Sequence, residues 1–145
     1  MSDLSALTSL SSALAATVSA AAPSVVSVHS HRSRASGFVW KPGLVVTADE
    51  ALADDGEIVL AFADGTTRPA TIAGRDHTTD IALLRFDGHD AATASLAGNV
   101  PPLGALTILV AADQGTPVAA LAMVAKSAGS WRSLRGGDID ARIEL

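Results

Sequence analysis

The residues able to do chemistry in this chain are few and fall in separate clusters. His29 and His31 alternate by two on a β-branched run, with Arg32 and Arg34 just after them. Two histidines on one strand face could hold a metal ion. The neighbouring sequence offers no third ligand, so ordinary surface histidines are the better reading and no metal site is expected. Asp49, Glu50, Asp54 and Asp55 form an acidic stretch that reads as a solvated loop. His77 stands three residues before Asp80, close enough in sequence for a base and a carboxylate to be considered together. Trp131 with Arg132 and Arg135 could be an interaction anchor or a half-buried packing residue. The chain has no cysteine, which excludes a thiol nucleophile, a disulfide scaffold and Cys-ligated zinc. Gly136-Gly137 signals a turn and nothing like a phosphate loop, and no cofactor is implied.

The elements that must carry these groups read as mostly β. The 145 residues are 48% hydrophobic and 17% charged, enough to bury a core and too apolar for disorder. Aromatic residues are only 3%, so the core must be built from small aliphatic side chains. A net charge of −5 argues against nucleic acid as a partner, and leaves the His29, His31, Arg32, Arg34 cluster as a solvated patch.

Residues 1–22 predict an amphipathic helix with the stripe Leu4, Leu7, Leu14, Val18 and Ala21, capped near Ser2 or Asp3 and ended before Pro23. Its serines and threonines speak against a membrane span, and its acidic start speaks against a secretory signal. After Pro23 the period changes. Strands are predicted over Ser24–His31, Phe38–Trp40, Leu44–Thr47, Glu57–Phe62, Thr66–Ala73 and Ile81–Phe86. Lys41-Pro42-Gly43 and Asp64-Gly65 mark turns, and Pro69 marks an edge or a bulge. Six short strands with turn chemistry between them predict an antiparallel barrel or sandwich over 23–88. Residues 89–104, with Gly98-Asn99 and Pro101-Pro102, read as a linker. Residues 105–145 offer strands at Leu106–Val110 and Val118–Val124, and a weaker one at Asp138–Leu145.

Several blocks, in order and at fixed spacing, resemble the HtrA/Deg group of trypsin-like serine proteases. They are Ala21-Ala22-Pro23-Ser24-Val25-Val26-Ser27-Val28, Ser36-Gly37-Phe38-Val39, Gly43-Leu44-Val45-Val46-Thr47-Ala48 and Ala63-Asp64-Gly65-Thr66. The most specific is Gly74-Arg75-Asp76-His77-Thr78-Thr79-Asp80-Ile81-Ala82-Leu83-Leu84. The likeness runs from about residue 13 to 88 and continues more weakly through Leu103-Gly104 and Val124 to Ile139–Ile143. It implies an all-β, chymotrypsin-like double barrel with a complete first barrel, a partial second barrel and an N-terminal helix.

The resemblance also assigns the catalytic positions. Asp80 matches the aspartate of the triad, whereas the triad histidine position holds Glu50. The nucleophile loop of the family would follow the segment that Asp140–Ile143 resembles, beyond Leu145. An imidazole near pKa 6.5 can take and return a proton at neutral pH; a carboxylate near 4.3 is a far weaker base. The expectation is therefore a protease homologue that does not hydrolyse peptides and binds a peptide or protein, by strand addition in the inter-barrel cleft. The alternative is one piece of a split or processed serine endopeptidase, with a complementary chain or second protomer completing the second barrel. A Glu50–Asp80 carboxylate pair is a lesser alternative to a solvated Glu50. Asp80 is expected to satisfy backbone N–H groups, and the resemblance puts His77 in the loop before it, badly placed to replace the missing base. The lack of a signal peptide slightly favours the cytoplasm, while members of the family usually work outside it.

Overall fold

Six strands close into a barrel because their sequences alternate in and out with period two. The structure, a computed structural model, describes residues 2–31, 33–53, 56–88 and 90–145. The barrel strands are β1 (Val25–Ser30), β2 (Ser33–Lys41), β3 (Leu44–Ala48), β4 (Ile58–Ala61), β5 (Thr67–Asp76) and β6 (Ile81–Phe86), in the closed order β1-β2-β3-β6-β5-β4. Val26 and Val28, Val39, Val45, Leu60, and Ala82 and Leu84 point inward with no more than 1% exposure. Ile58, Leu60 and Phe62 share the inward face, as their spacing predicts. The one aromatic contact in this core joins Phe62 and Phe86, with ring centroids 5.4 Å apart. Small β-branched side chains thus fill a narrow barrel whose closure leaves no open edge.

The turns fall where the sequence places them. Gly43 and Gly65 take φ of 75° and 83°, which only glycine adopts without cost. Pro69 is not on an edge strand: it pairs with Val59, and the ladder to β6 starts one residue later at Ala70↔Phe86. The bulge in that strand lies between Ile72 and Gly74.

The helix α1 (Ser2–Ala21) ends before Pro23, which opens a single 3-10 turn at Ala22–Ser24. The side chains of the cap candidates Ser2 and Asp3 lie outside the described residues. The expected stripe splits in two. Leu14, Val18 and Ala21 are half-buried, whereas Leu4 and Leu7 are exposed, at 76% and 63%. The first three turns of α1 therefore stand clear of the barrel rather than packing on it. Leu4–Ser24 is long and apolar enough to cross a membrane by length and composition alone. Thr8 and Thr17 donate to the carbonyls of Leu4 and Ala13, at 2.8 and 2.9 Å, so these two hydroxyls spend their donors inside the helix.

Residues 90–105 carry neither helix nor strand. The remaining chain forms three two-stranded ladders: β7 (Leu106–Asp113) with β8 (Thr116–Met123), β9 (Lys126–Ala128) with β12 (Arg142–Glu144), and β10 (Trp131–Arg132) with β11 (Asp138–Ile139). The single strand expected over Asp138–Leu145 is thus two short strands serving different ladders. The β7–β8 turn uses Gln114 and Gly115 at φ 50° and 84°, the geometry that a tight hairpin wants. Ser27 Oγ accepts the Gly115 N–H (2.9 Å) and Ser36 Oγ accepts the Ala112 N–H (3.0 Å), tying this hairpin to the barrel. These contacts explain why Ser27 is buried although its parity points it out of the barrel.

Candidate functional site

The site lies at the barrel end where β3 leaves and β6 begins. Ala48 pairs with Ile81, so the residues that follow the first and precede the second must meet. After β3 the chain makes a 3-10 turn at Asp49–Ala51. The Asp49 N–H donates to the Asp80 carbonyl (3.2 Å), and the Glu50 N–H donates to the Asp80 carboxylate (2.8 Å). Asp80 adopts φ 58°, a left-handed backbone tolerated by Asp because its short side chain can bond locally. The four-residue turn 77–80 between β5 and β6 is built by Asp76. Its carboxylate accepts the Thr78 N–H (2.9 Å), the Thr78 hydroxyl (2.6 Å) and the Thr79 hydroxyl (2.7 Å). Those hydrogen bonds hold the Asp76 pKa down, at about 2.

Asp80 and Glu50 are thus brought together, but through Glu50's backbone. Glu50 is exposed, and its carboxylate makes no hydrogen bond or ion pair among the described residues. Asp80 accepts a backbone N–H. His77 does turn toward a carboxylate, but its partner is Asp49 and not Asp80.

Asp49 is the residue that the sequence reading misplaced. The acidic stretch that holds it with Glu50, Asp54 and Asp55 reads as a solvated loop; Asp54 and Asp55 lie outside the described residues, and Asp49 is only 2% exposed. Its Oδ1 takes the Arg75 Nε–H and its Oδ2 takes the His77 Nδ1–H. Arg75 also donates to the carbonyls of Asp49 (3.3 Å) and Leu52 (3.5 Å). Burial pushes the Asp49 pKa up, yet the hydrogen bonds and charges of Arg75 and His77 outweigh it and hold the carboxyl below its ordinary value. The signal was in the alternation: Val45 and Thr47 point inward on β3, and Asp49 is the next residue of that parity. A buried carboxylate then requires a cation, and Arg75 on β5 supplies it.

The other wall of the site comes from the β10–β11 loop. Ser133 Oγ donates to the Thr78 carbonyl and accepts the Gly137 N–H at 3.0 Å. Arg135 donates to the His77 carbonyl at 3.4 Å. A cleft of about 360 Å³ runs between the two walls, lined by Glu50, His77 and Asp80 on one side and Trp131, Leu134 and Ile139 on the other. A second, more apolar cleft of about 590 Å³ shares Asp80 and runs along β2 and β3 toward Val110. Trp131 is partly exposed in the first cleft, and the Arg142 guanidinium sits over its ring at 5.3 Å. Gly136 takes φ 90° in the turn between β10 and β11, as the glycine pair suggested.

The histidine pair expected on β1 divides: His29 is half-buried with a shielded Nε2 that has no partner among the described residues, and His31 sits in the turn at φ 52°. Arg32 lies outside the described residues. No group of three or more His, Asp or Glu side chains is placed to hold a metal among the described residues.

The sequence profile of the trypsin-like peptidase domain matches residues 35–143. The probable periplasmic serine endoprotease DegP-like of Pseudomonas putida strain F1 is 36% identical over 66 residues, covering 45% of this chain and 14% of that protein. Serine protease HTRA4 of Mus musculus is 29% identical over 144 residues, covering 88% of this chain and 30% of that protein. The chain thus spans between about a seventh and a third of the length of these curated relatives. In three dimensions it superposes on the serine endoprotease from Yersinia pestis with a TM-score of 0.67 at 20% identity, covering 81% of this chain and 49% of the other. The closed barrel and the leading helix accord with these likenesses: the chain belongs to the trypsin-like peptidase domain family, and its sequence relatives are of the HtrA/Deg type.

Proposed function

We propose that this chain is a peptide- or protein-binding domain in which the family's histidine-driven peptidase chemistry has been lost. The observation that carries the reading is Glu50 at the position that the resemblance assigns to the histidine. Its side chain is held by no hydrogen bond or ion pair among the described residues, and the Asp80 carboxylate, which accepts the Glu50 N–H, has no imidazole beside it to orient. A carboxylate is a far weaker proton acceptor for a serine hydroxyl than an imidazole. What the site keeps is a cleft with an aromatic wall at Trp131, apolar surface at Leu134 and Ile139, and short strands beside it that can pair with an extended peptide.

The test is titration of unstructured peptides against the protein, read in ¹H–¹⁵N spectra and Trp fluorescence. Saturable shifts are expected at the Trp131 indole and across residues 78–81, with the peptides recovered intact. Peptide-bond hydrolysis that disappears in Asp80→Asn would overturn the reading.

A second reading is favoured by a different observation. Leu106, Leu109, Val118, Leu121 and Met123 on the β7–β8 hairpin are each 46–60% exposed, and the three ladders do not close on one another. Open strand edges beside apolar surface are avoided in free proteins. In this reading a complementary chain completes the second barrel and supplies the nucleophile of a serine endopeptidase, or a second copy completes the barrel alone. A protein that sediments as a soluble monomer, alone and at high concentration, would defeat it.

A further inference from the structure

The same two loops that carry the family's histidine and aspartate here carry a histidine and an aspartate with their places exchanged. The loop after β3 supplies Asp49, and the loop before β6 supplies His77, whose Nδ1–H donates to Asp49 Oδ2. Asp49 is buried and Arg75 holds its other oxygen, so the carboxylate is fixed at both ends. The imidazole is 66% exposed and lines the cleft, and its Nε2 has no partner among the described residues. A carboxylate on Nδ1 sets the tautomer, leaving the lone pair on Nε2.

We propose that His77 and Asp49 form a second proton-transfer site, independent of Glu50 and Asp80, which acts as general base for water attacking an acyl ester held in the cleft. As the water oxygen bonds to the acyl carbon, Nε2 takes its proton and the carbonyl π pair moves onto oxygen. The tetrahedral adduct then collapses, the bond to the alkoxy group breaks with its electron pair, and the imidazolium returns the proton to that oxygen. A carboxylic acid and an alcohol leave, and His77 is neutral again; Asp49 does not change protonation. An ester fits better than an amide, because an alkoxide or phenolate departs more easily than an amine. The walls select the ester: Trp131, Leu134 and Ile139 favour an apolar acyl group, and Glu50 and Asp80 disfavour an anionic one.

The experiment uses p-nitrophenyl acetate with the whole 145-residue chain. Turnover above buffer is expected, and His77→Gln should lower it about a hundred-fold, the low end of general-base catalysis. Because His77 is exposed and Gln can still reach Asp49, this variant keeps the fold, which its ¹H–¹⁵N spectrum verifies. His29→Gln and His31→Gln should leave the rate unchanged. Imidazole ¹⁵N shifts should report the Nδ1–H tautomer in the native chain and a mixture in Asp49→Asn, which makes Asp49 a positioning residue. The proposal is overturned by a His77→Gln rate equal to the native one, by no turnover in the native chain, or by an Nε2–H tautomer.

Discussion

Replacing either member of the buried Asp49–Arg75 pair tests how the site is held. In Asp49→Asn the side chain keeps its shape and one acceptor, but Arg75 loses its counter-charge. Opposite charges at hydrogen-bond range attract by about 4 kcal/mol at the effective dielectric of a partly buried site. Part of this returns, because a neutral amide costs less to bury than a carboxylate. Arg75 is also not stranded: its side chain is 18% exposed and keeps the carbonyls of Asp49 and Leu52 at 3.3 and 3.5 Å. The net cost of Asp49→Asn should therefore be about 2–3 kcal/mol, below the 3–5 kcal/mol typical of a fully buried pair broken on one side. Arg75→Met leaves a buried carboxylate with only His77 for company, and should cost about 3 kcal/mol by the same argument.

The double variant leaves neither charge unpaired, so it should cost about 3 kcal/mol in all, well short of the sum of the two single changes. Urea unfolding of the four proteins, monitored by circular dichroism, gives the coupling directly. A coupling of about 2 kcal/mol is expected. If the two single costs add to within about 0.5 kcal/mol, the pair is not the clamp described here, and the burial of Asp49 needs another cause.

Leu60→Ala, at a position with no exposed surface between β1 and β5, should destabilise by about 3 kcal/mol, read from the same urea midpoints. Gly37→Ala should cost about 1–3 kcal/mol, because its Cβ would lie 2.8 Å from both the Val46 carbonyl and a Val45 methyl. Gly137→Ala acts on the cleft: a Cβ there meets the Thr78 carbonyl at 2.7 Å, so the β10–β11 loop must lift and the Trp131 emission should shift toward that of a solvated indole. Asp49 and Asp76 both have lowered native pKa values, so their stabilisation is complete above about pH 4, where the unfolded carboxyls titrate, and is lost as pH falls through the native values, toward about 2 for Asp76. Acid unfolding curves should shift accordingly, and Asp76→Asn should flatten the low-pH limb; an unchanged limb would contradict the turn geometry.

The barrel was legible because period two is written plainly into Val26, Val28, Val45, Thr47, Ala82 and Leu84, and because the turns carry Gly43 and Gly65 at left-handed positions. The helix was legible in its extent but not in its packing. An apolar stripe states which face would be buried, and nothing in α1 says that the barrel is too small to reach past Leu14 to Leu7 and Leu4. The ladders after residue 105 were only half legible: β9 to β12 are two or three residues long, too short for alternation to declare itself. At the site, Asp80 and Glu50 could be placed only by resemblance, since neither composition nor spacing marks them.

Asp49 was hidden by composition, and the way it was hidden bears on how such a site forms. An acidic run invites the reading of a solvated loop, because a lone carboxylate seldom goes inside. The alternation on β3 demands the opposite at Asp49, and that demand is met only if a cation arrives from elsewhere in the chain. Arg75 comes from β5, 26 residues later, in a strand separated from β3 by β6. The β3-β6-β5 pairing is thus what makes a carboxylate tolerable at Asp49, and a fixed carboxylate at that point is what draws the ring of His77 into a set orientation. With Glu50 turned to solvent, the barrel end retains a single oriented histidine among the described residues, and it is the one that the closed strand order can hold.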